Sequence, residues 1–316
     1  MLLVYTLCYM PTLALSNSIS FHQMQDPGRE FPPIRVLGTI GWIVAGLIIG
    51  TLALEATERP MQIAAAGSIV LGVFCLVLPH TPPARRTKPT LGDVLGLDAL
   101  KLMRDRSFAI FVVGSFLICI PLQFYYAFAN LFLNELNVTN AAGKMTLGQM
   151  SEIFFMLVMP WFFRRLGVKY MLLVGMAAWT ARYALFANGD NGSLVWMLYA
   201  GILLHGICYD FFFVMGQVYV DQKAPSALRA AAQGLMTFLT YGIGMFVGSL
   251  ICGRIVDMYA TPGPGGAVLH NWRNIWLVPA LGAAMVLVIF WAGFRNEDRA
   301  ANAPVPKGEV VSTSSV

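Results

Sequence analysis

Long apolar segments follow one another along almost the whole chain, and polar stretches separate them. A helix that spans a bilayer needs about 20 consecutive, mostly apolar residues. Nine segments meet this requirement, approximately Leu2–Phe21, Ile34–Leu54, Met61–Leu78, Phe108–Leu133, Leu147–Phe163, Tyr170–Phe186, Val195–Val220, Ala231–Ile255 and Ile275–Phe294. The pattern therefore predicts an all-α polytopic membrane protein with about nine transmembrane helices.

One polar connection, residues 79–107, is much longer than the other interior loops. We therefore predict the remainder of an N-terminal helical bundle (three spans) over 1–78, a linker over 79–107 and a C-terminal six-helix bundle over 108–294. Residues 295–316 are rich in Ala, Pro, Val and Ser and are expected to be a disordered tail. Transporters are commonly built from repeats of equal helix number. We therefore expect three further helices before the first; the alternative is a genuine nine-helix protein.

The composition indicates that lipid is the solvent of these helices. Hydrophobic residues make up 57% of the 316 residues and charged residues 12%, whereas soluble domains carry about 25% charged residues. The net charge of +5 does not indicate nucleic-acid binding, because the basic residues sit in short loops. Fifteen of the 21 Lys and Arg residues lie on the side of the linker and the C-terminus, against four on the other side. This bias predicts a cytoplasmic linker and C-terminus in a cell (inner) membrane.

The sequence offers no signature of enzymatic chemistry. It contains no HExxH, P-loop, GxSxG or GxGxxG motif. The five cysteines fall in apolar segments without CxxC spacing, as small packing residues do. We therefore expect no catalytic residues, no metal and no cofactor.

Polar groups inside membrane helices are costly and are candidates for function. In the second segment Arg35, Thr39 and Trp42 stand at i, i+4 and i+7, so they share one helix face. This face offers a cation, a hydroxyl and an aromatic ring to a solute. The alternative for Arg35 is a side chain near the helix end that reaches the lipid headgroups.

The fourth segment carries Gln123, Tyr126 and Asn130 at i, i+3 and i+7. An amide both donates and accepts hydrogen bonds, which suits recognition of hydroxyls and base edges. The alternative is that these side chains hold helices together, as polar groups in membranes often do.

The fifth segment carries Gln149 and Glu152 at i, i+3. A carboxyl group inside a bilayer needs a partner or a proton, so Glu152 is a candidate proton carrier. The alternative is a structural ion pair with Arg182 or another buried cation. Arg182 lies in the sixth segment and has Glu152 or Asp210 as candidate partners.

The seventh segment places His205, Tyr209 and Phe212 on one face, with Asp210 on an adjoining face. An aromatic stripe alone is more often packing than a binding surface. The His and Asp within the same two turns favour a site, and Asp210 is a second candidate for proton coupling. A structural pairing of Asp210 with a cation is the alternative.

Several motifs together resemble the nucleoside:proton symporter family of the major facilitator superfamily. They are LCYMPTL at 7–13, FPPIRVLGTIG at 31–41, GQMSE at 148–152, RYALFA at 182–187, YDFF at 209–212 and RAAAQG at 229–234. The RRLGVK stretch at 164–169 is similar to the basic loop motif of the superfamily. The likeness runs from Leu2 to about Phe294 with the motifs in the same order and spacing.

The resemblance implies a fold of two six-helix bundles, in which the first segment here corresponds to helix four. It also implies inward transport of nucleosides with protons. Five positions match the family's binding pocket, namely Arg35, Thr39, Gln123, Gln149 and Glu152. Asp210 matches a carboxylate that the family needs.

Four candidate positions depart from the family's pattern. Trp42 and Tyr209 replace Phe, Tyr126 replaces Asn, and His205 replaces Tyr. These larger or more polar groups leave nucleosides as the expected class and leave the selectivity within that class, or for a related glycoside, open.

The sequence thus predicts proton-coupled import of nucleosides by alternating access. The expected partners are the nucleoside, protons and the lipid bilayer, without nucleic acid, and the expected state is a monomer. Glu152 or Asp210 would carry the proton. Two alternatives remain: a carrier for another small polar solute such as a sugar, and a non-transporting truncated remnant.

Overall fold

The computed structural model describes residues 2–52, 57–81, 97–263, 265 and 268–295. Its long helices are α1 (Leu2–Gln23), α2 (Pro27–Thr51), α3 (Arg59–Phe74), α4 (Arg106–Glu135), α5 (Ala141–Asn188), α6 (Val195–Lys223), α7 (Ser226–Met258) and α8 (Trp272–Gly293). A 3-10 turn, Cys75–Val77, extends α3, and a 3-10 helix, Leu97–Arg104, precedes α4. Strands β1 (Ala260–Pro262) and β2 (Val268–His270) form an antiparallel hairpin between α7 and α8.

Each of the nine predicted segments corresponds to one of these helices, with two of the segments in α5; residues 53–54 of the second segment lie outside the described residues. That helix is broken at Gly167, whose backbone has φ 68° and ψ 176°. Only glycine adopts such a conformation without strain, so the RRLGVK stretch separates two helical halves without forming an extended loop.

Within the described ranges, seven helices are long and apolar enough to cross a bilayer. This confirms the predicted class, an all-α polytopic membrane protein. Residues 82–96 of the predicted linker and 296–316 of the predicted tail lie outside the described residues.

Side-chain caps fix the starts of three helices. Oδ1 of Asp105 accepts a hydrogen bond from the Phe108 N–H at 2.8 Å at the start of α4, and Asn140 and Asn271 cap α5 and α8 in the same way. Burial acts to raise the pKa of Asp105, but the Phe108 N–H and the Lys223 ammonium outweigh it and hold that pKa below its ordinary value of 3.8. The Asp105 carboxylate therefore stabilises both the helix end and its contact with α6.

The core of the C-terminal bundle is largely aromatic. Tyr183 of α5 stacks on Trp276 of α8, with ring centroids 5.8 Å apart and planes 10° apart. The Tyr183 hydroxyl donates to the carbonyl of Pro121 in α4 at 2.6 Å. These contacts hold α4, α5 and α8 together. By contrast, α3 has no buried residue and presents apolar side chains to its surroundings, as a lipid-facing helix does.

The first two helices pack against the C-terminal bundle, α1 along α7 and α2 along α5. Phe21 and Phe31 are buried where α1 turns into α2, with ring centroids 4.3 Å apart. Gly28 lies so close to Phe163 of α5 that a Cβ at this position would fall 2.3 Å from ring atom Cε1. The two groups of helices therefore meet tightly at this end.

Two π-helical segments interrupt the later helices, Tyr209–Val214 in α6 and Phe238–Gly244 in α7. Such segments are rare and occur often at functional sites. Here they carry Tyr209, Asp210 and Tyr241, and the hydroxyls of the two tyrosines lie 3.5 Å apart.

Candidate functional site

A buried hydrogen bond joins α2 to α5. Oγ1 of Thr39 donates to Oε1 of Glu152 at 2.6 Å, and both side chains are buried. Thr39 therefore ties α2 to the carboxylate of Glu152 in α5.

The other oxygen of Glu152 faces α6. Its Oε2 lies 3.5 Å from Nε2 of His205, and Nδ1 of the same ring lies 3.2 Å from Nη1 of Arg182. Arg182 is fully buried, and its guanidinium carbon lies 3.4 Å from the centroid of the Tyr125 ring. A continuous polar chain thus runs from Thr39 to Tyr125.

The sequence suggested Glu152 or Asp210 as the partner of Arg182, and the structure gives a different arrangement. The His205 ring stands between Arg182 and Glu152, so Arg182 contacts the imidazole and the face of Tyr125. A cation over an aromatic face is stabilised by the ring quadrupole, more strongly where water is excluded.

A second link between the bundles lies beside the first. Nη2 of Arg35 donates to the Tyr209 hydroxyl at 2.8 Å, and the Tyr241 hydroxyl donates to the same oxygen at 3.5 Å. The Arg35 side chain is therefore held towards the protein interior by its hydrogen bond to Tyr209. Sequence reasoning missed Tyr241, since one tyrosine in an apolar segment carries no distinguishing periodicity.

Asp210 lies one residue beyond Tyr209 and is fully buried. Neither of its carboxylate oxygens has a hydrogen-bond partner among the described residues. Glu152 and Arg35 are the charged groups that act on it. A carboxylate so placed is expensive in the ionised form, which suits a group that takes up a proton.

Both glutamine candidates present an unused acceptor. Oε1 of Gln123 in α4 and Oε1 of Gln149 in α5 are buried, and no described residue donates a hydrogen bond to either. A buried carbonyl oxygen without a donor costs free energy, and a ligand hydroxyl would remove that cost.

The two remaining candidates are more open. Tyr126 is 49% exposed and meets the Tyr125 ring edge-on, with centroids 5.8 Å apart. Trp42 is 72% exposed, and none of the ring pairs formed by described residues includes it. Contacts between described residues therefore connect six of the nine predicted binding residues, namely Arg35, Thr39, Tyr126, Glu152, His205 and Tyr209. Gln123 and Gln149 lie one helical turn from Tyr126 and Glu152, and Asp210 follows Tyr209 in the chain.

Comparison with known proteins shows what kind of protein carries this cluster. The sequence model of the family described as "Nucleoside H+ symporter" matches residues 1–299. The chain belongs to this family. YegT of Escherichia coli (strain K12) is 45% identical over 308 residues, which are 94% of this chain and 72% of YegT. The xanthosine permease of the same strain is 36% identical over 314 residues, 94% of this chain and 74% of the permease.

The fold agrees with a solved member of the family. The crystal structure of the nucleoside transporter NupG, 34% identical, superposes with a TM-score of 0.65 over 92% of this chain and 74% of NupG. A mutant of NupG gives a TM-score of 0.70 over 91% and 74% of the two chains. These matches confirm the predicted major facilitator fold, and they confirm a transporter in preference to an enzyme.

Proposed function

We propose that the protein imports nucleosides together with protons by alternating access. The observation that carries this proposal is the hydrogen bond between Thr39 and Glu152, which makes the ionisation of one carboxylate part of the contact between two helix groups. The family description names both nucleosides and protons, and YegT, the xanthosine permease and NupG give the substrate class its support.

The substrate would bind among the amides and rings around this carboxylate. The free Oε1 atoms of Gln123 and Gln149 accept from sugar hydroxyls or from N–H groups of a base. A planar base would stack on Tyr209 or on the open faces of Tyr126 and Trp42. Stacking of a base on an aromatic side chain is worth about 1–3 kcal/mol.

The proton would be taken up by Glu152 or Asp210. When Glu152 is ionised, its Oε1 accepts the Thr39 hydrogen bond; once Oε1 carries a proton, that bond in its present direction is lost. Protonation therefore changes the relative stability of the two arrangements of the bundles, as a ligand with different affinity for two states does. The cytoplasmic C-terminus, the inner-membrane location and the monomeric state belong to the same proposal.

Uptake of labelled uridine by cells without other nucleoside carriers tests this function. Accumulation should rise under an imposed inward proton gradient and collapse with a protonophore. Glu152→Gln should abolish accumulation against a gradient while leaving exchange of bound substrate measurable. Competition by sugars but not by nucleosides would instead favour a sugar carrier. If protein shown to be in the membrane takes up neither solute, it does not transport either class.

A further inference from the structure

The arrangement of Arg182, His205 and Glu152 fixes where hydrogen atoms lie. The guanidinium of Arg182 has only N–H donors, and its Nη1 lies 3.2 Å from Nδ1 of His205. Nδ1 must therefore present a lone pair. A neutral imidazole has a single N–H, which is then on Nε2, the atom that faces Oε2 of Glu152 at 3.5 Å.

We propose that Arg182 is a positioning residue that holds His205 in the Nε2–H tautomer, and that this leaves Oε1 of Glu152 as the oxygen that receives the transported proton. If the ring took up a second proton, at Nδ1, this N–H would face an N–H of Arg182, and the imidazolium and guanidinium cations would be in contact. A proton on Oε2 would face the Nε2–H of His205. Oε1 is hydrogen-bonded to the rotatable hydroxyl of Thr39, which can turn from donor to acceptor.

The two oxygens of Glu152 thus have different tasks. Uptake of a proton from the external water forms an O–H bond at Oε1, neutralises the carboxylate and ends the donation from Thr39. His205 keeps its single N–H throughout and neither gains nor loses a proton. The charge therefore changes on the oxygen that contacts α2. A transport cycle requires the change at such a contact between the two groups of helices.

Further titratable and charged side chains surround the pair formed by Glu152 and His205. They are Arg35 on α2, Tyr125 and Tyr126 on α4, Arg182 on α5, Cys208, Tyr209 and Asp210 on α6, and Tyr241 on α7. Of these, Arg182 is the described group that lies against Nδ1. Arg35 is directed to Tyr209 instead, on the other side of the site.

Nitrogen-15 NMR of the full chain in lipid nanodiscs reads the tautomer directly. The chain has four histidines, so His22→Gln, His80→Gln and His270→Gln leave His205 alone. We expect the neutral Nε2–H form alone from about pH 5 to 8, the range in which an ordinary histidine titrates. An Nδ1–H signal, or protonation of His205 in this range, would overturn the proposal.

The Arg182→Met variant in the same background removes the donor. We expect the Nδ1–H tautomer or the imidazolium to appear, whereas Arg182→Gln, which keeps an N–H donor, should restore the single form in part. A spectrum of Arg182→Met identical to that of the parent would show that another group selects the tautomer. If Arg182→Met does not fold, the parent spectrum and Arg182→Gln still decide.

Transport gives a second readout, which rests on the proposed function. In His205→Gln the amide can accept from Arg182 and donate to Glu152 but cannot titrate. This variant should slow uptake, since the pocket is altered, yet the remaining accumulation should stay protonophore-sensitive. His205→Phe offers no N–H to Oε2, so the proton can bind either oxygen of Glu152, and the sensitivity to the protonophore should be weaker than in His205→Gln. Uptake by His205→Gln that no longer accumulates would mean that His205 carries the proton. Failure of the parent to transport nucleosides would overturn the function and leave the NMR result standing.

Discussion

Thr39 and Glu152 lie 113 residues apart in sequence and share a hydrogen bond of 2.6 Å between Oγ1 and Oε1. The bond crosses from α2 to α5, and both side chains are buried. A hydrogen bond to a charged acceptor contributes about 1.5–3 kcal/mol. The contact is therefore strong enough to influence which arrangement of the two helix groups prevails.

Thr39→Val should weaken this link. The substitution keeps the shape and removes the hydroxyl, so Glu152 loses its donor on the side of α2. We expect accumulation of uridine to fall by roughly ten- to a hundredfold, the equivalent of about 1.5–3 kcal/mol. Thr39→Ser, which keeps the hydroxyl, should lose far less. Equal uptake by the Val and Ser variants would contradict a role for the bond.

Tyr209 combines an aromatic ring, on which we propose that the base stacks, with a hydroxyl that accepts a hydrogen bond from Arg35. Tyr209→Ala should raise the KM for uridine by roughly five- to a hundredfold, because about 1–3 kcal/mol of stacking is lost. Tyr209→Phe keeps the ring and should lose less of the affinity, although Arg35 is left without its acceptor. Measured KM values that rise equally for both variants would assign the effect to the hydroxyl and exclude stacking.

The sequence located the stripes of polar residues because helical spacing shows which side chains share a face. It did not show which stripes meet, since that depends on how the helices pack. The sequence thus offered Glu152 and Asp210 as partners of Arg182, and only the fold reveals the His205 ring between Arg182 and Glu152.

The π-helical segment Tyr209–Val214 adds a second limit to prediction. A π-helical turn contains more residues than an α-helical turn, so it rotates the residues after it relative to those before it. Spacing rules based on 3.6 residues per turn do not apply across it. The contact between Tyr209 and Tyr241 therefore could not be read from the sequence, nor could the lack of a hydrogen-bond partner for Asp210 among the described residues.

Asp105, at the start of α4, should make the free energy of unfolding depend on pH. Its folded-state pKa lies below the ordinary value of 3.8, so the unfolded chain binds the proton more readily. The stabilisation is present above about pH 4 and is lost as the pH falls through the lower, folded-state pKa. Thermal unfolding in detergent should show Asp105→Ala less stable at neutral pH by about 1 kcal/mol, the usual value of a cap.

Asp105→Asn separates the cap from the charge. Asparagine caps helices as well as aspartate does but cannot attract Lys223, which lies 3.4 Å from the carboxylate at a partly exposed position. An exposed ion pair is worth about 0–1 kcal/mol, so this variant should lie between the parent and the Ala variant at neutral pH. Its stability should also lack the acid-dependent loss that Asp105 causes; an unchanged loss would assign that loss to other groups.

Gly28 should determine how closely α2 approaches α5 near the turn between α1 and α2. A Cβ at this position would fall 2.3 Å from the ring of Phe163, so Gly28→Ala must push the ring or the helix aside. Overpacking of this kind costs about 1–3 kcal/mol, and about 1 kcal/mol changes a two-state population by a factor of roughly five. We therefore expect this arrangement of the helices to be less populated than in the parent protein.

Gly41 provides the matched control, since it lies in the same helix and a Cβ there would meet nothing within 4 Å. Spin labels on cysteines at the exposed positions Glu30 and Arg164 would measure the gap between α2 and α5, with the exposed Cys8 and Cys75 replaced by serine. Gly28→Ala should shift the label distances to larger values and slow uptake, and Gly41→Ala should do neither. If Gly28→Ala leaves the distances unchanged, the ring of Phe163 yields without moving the helices, and this contact does not govern closure.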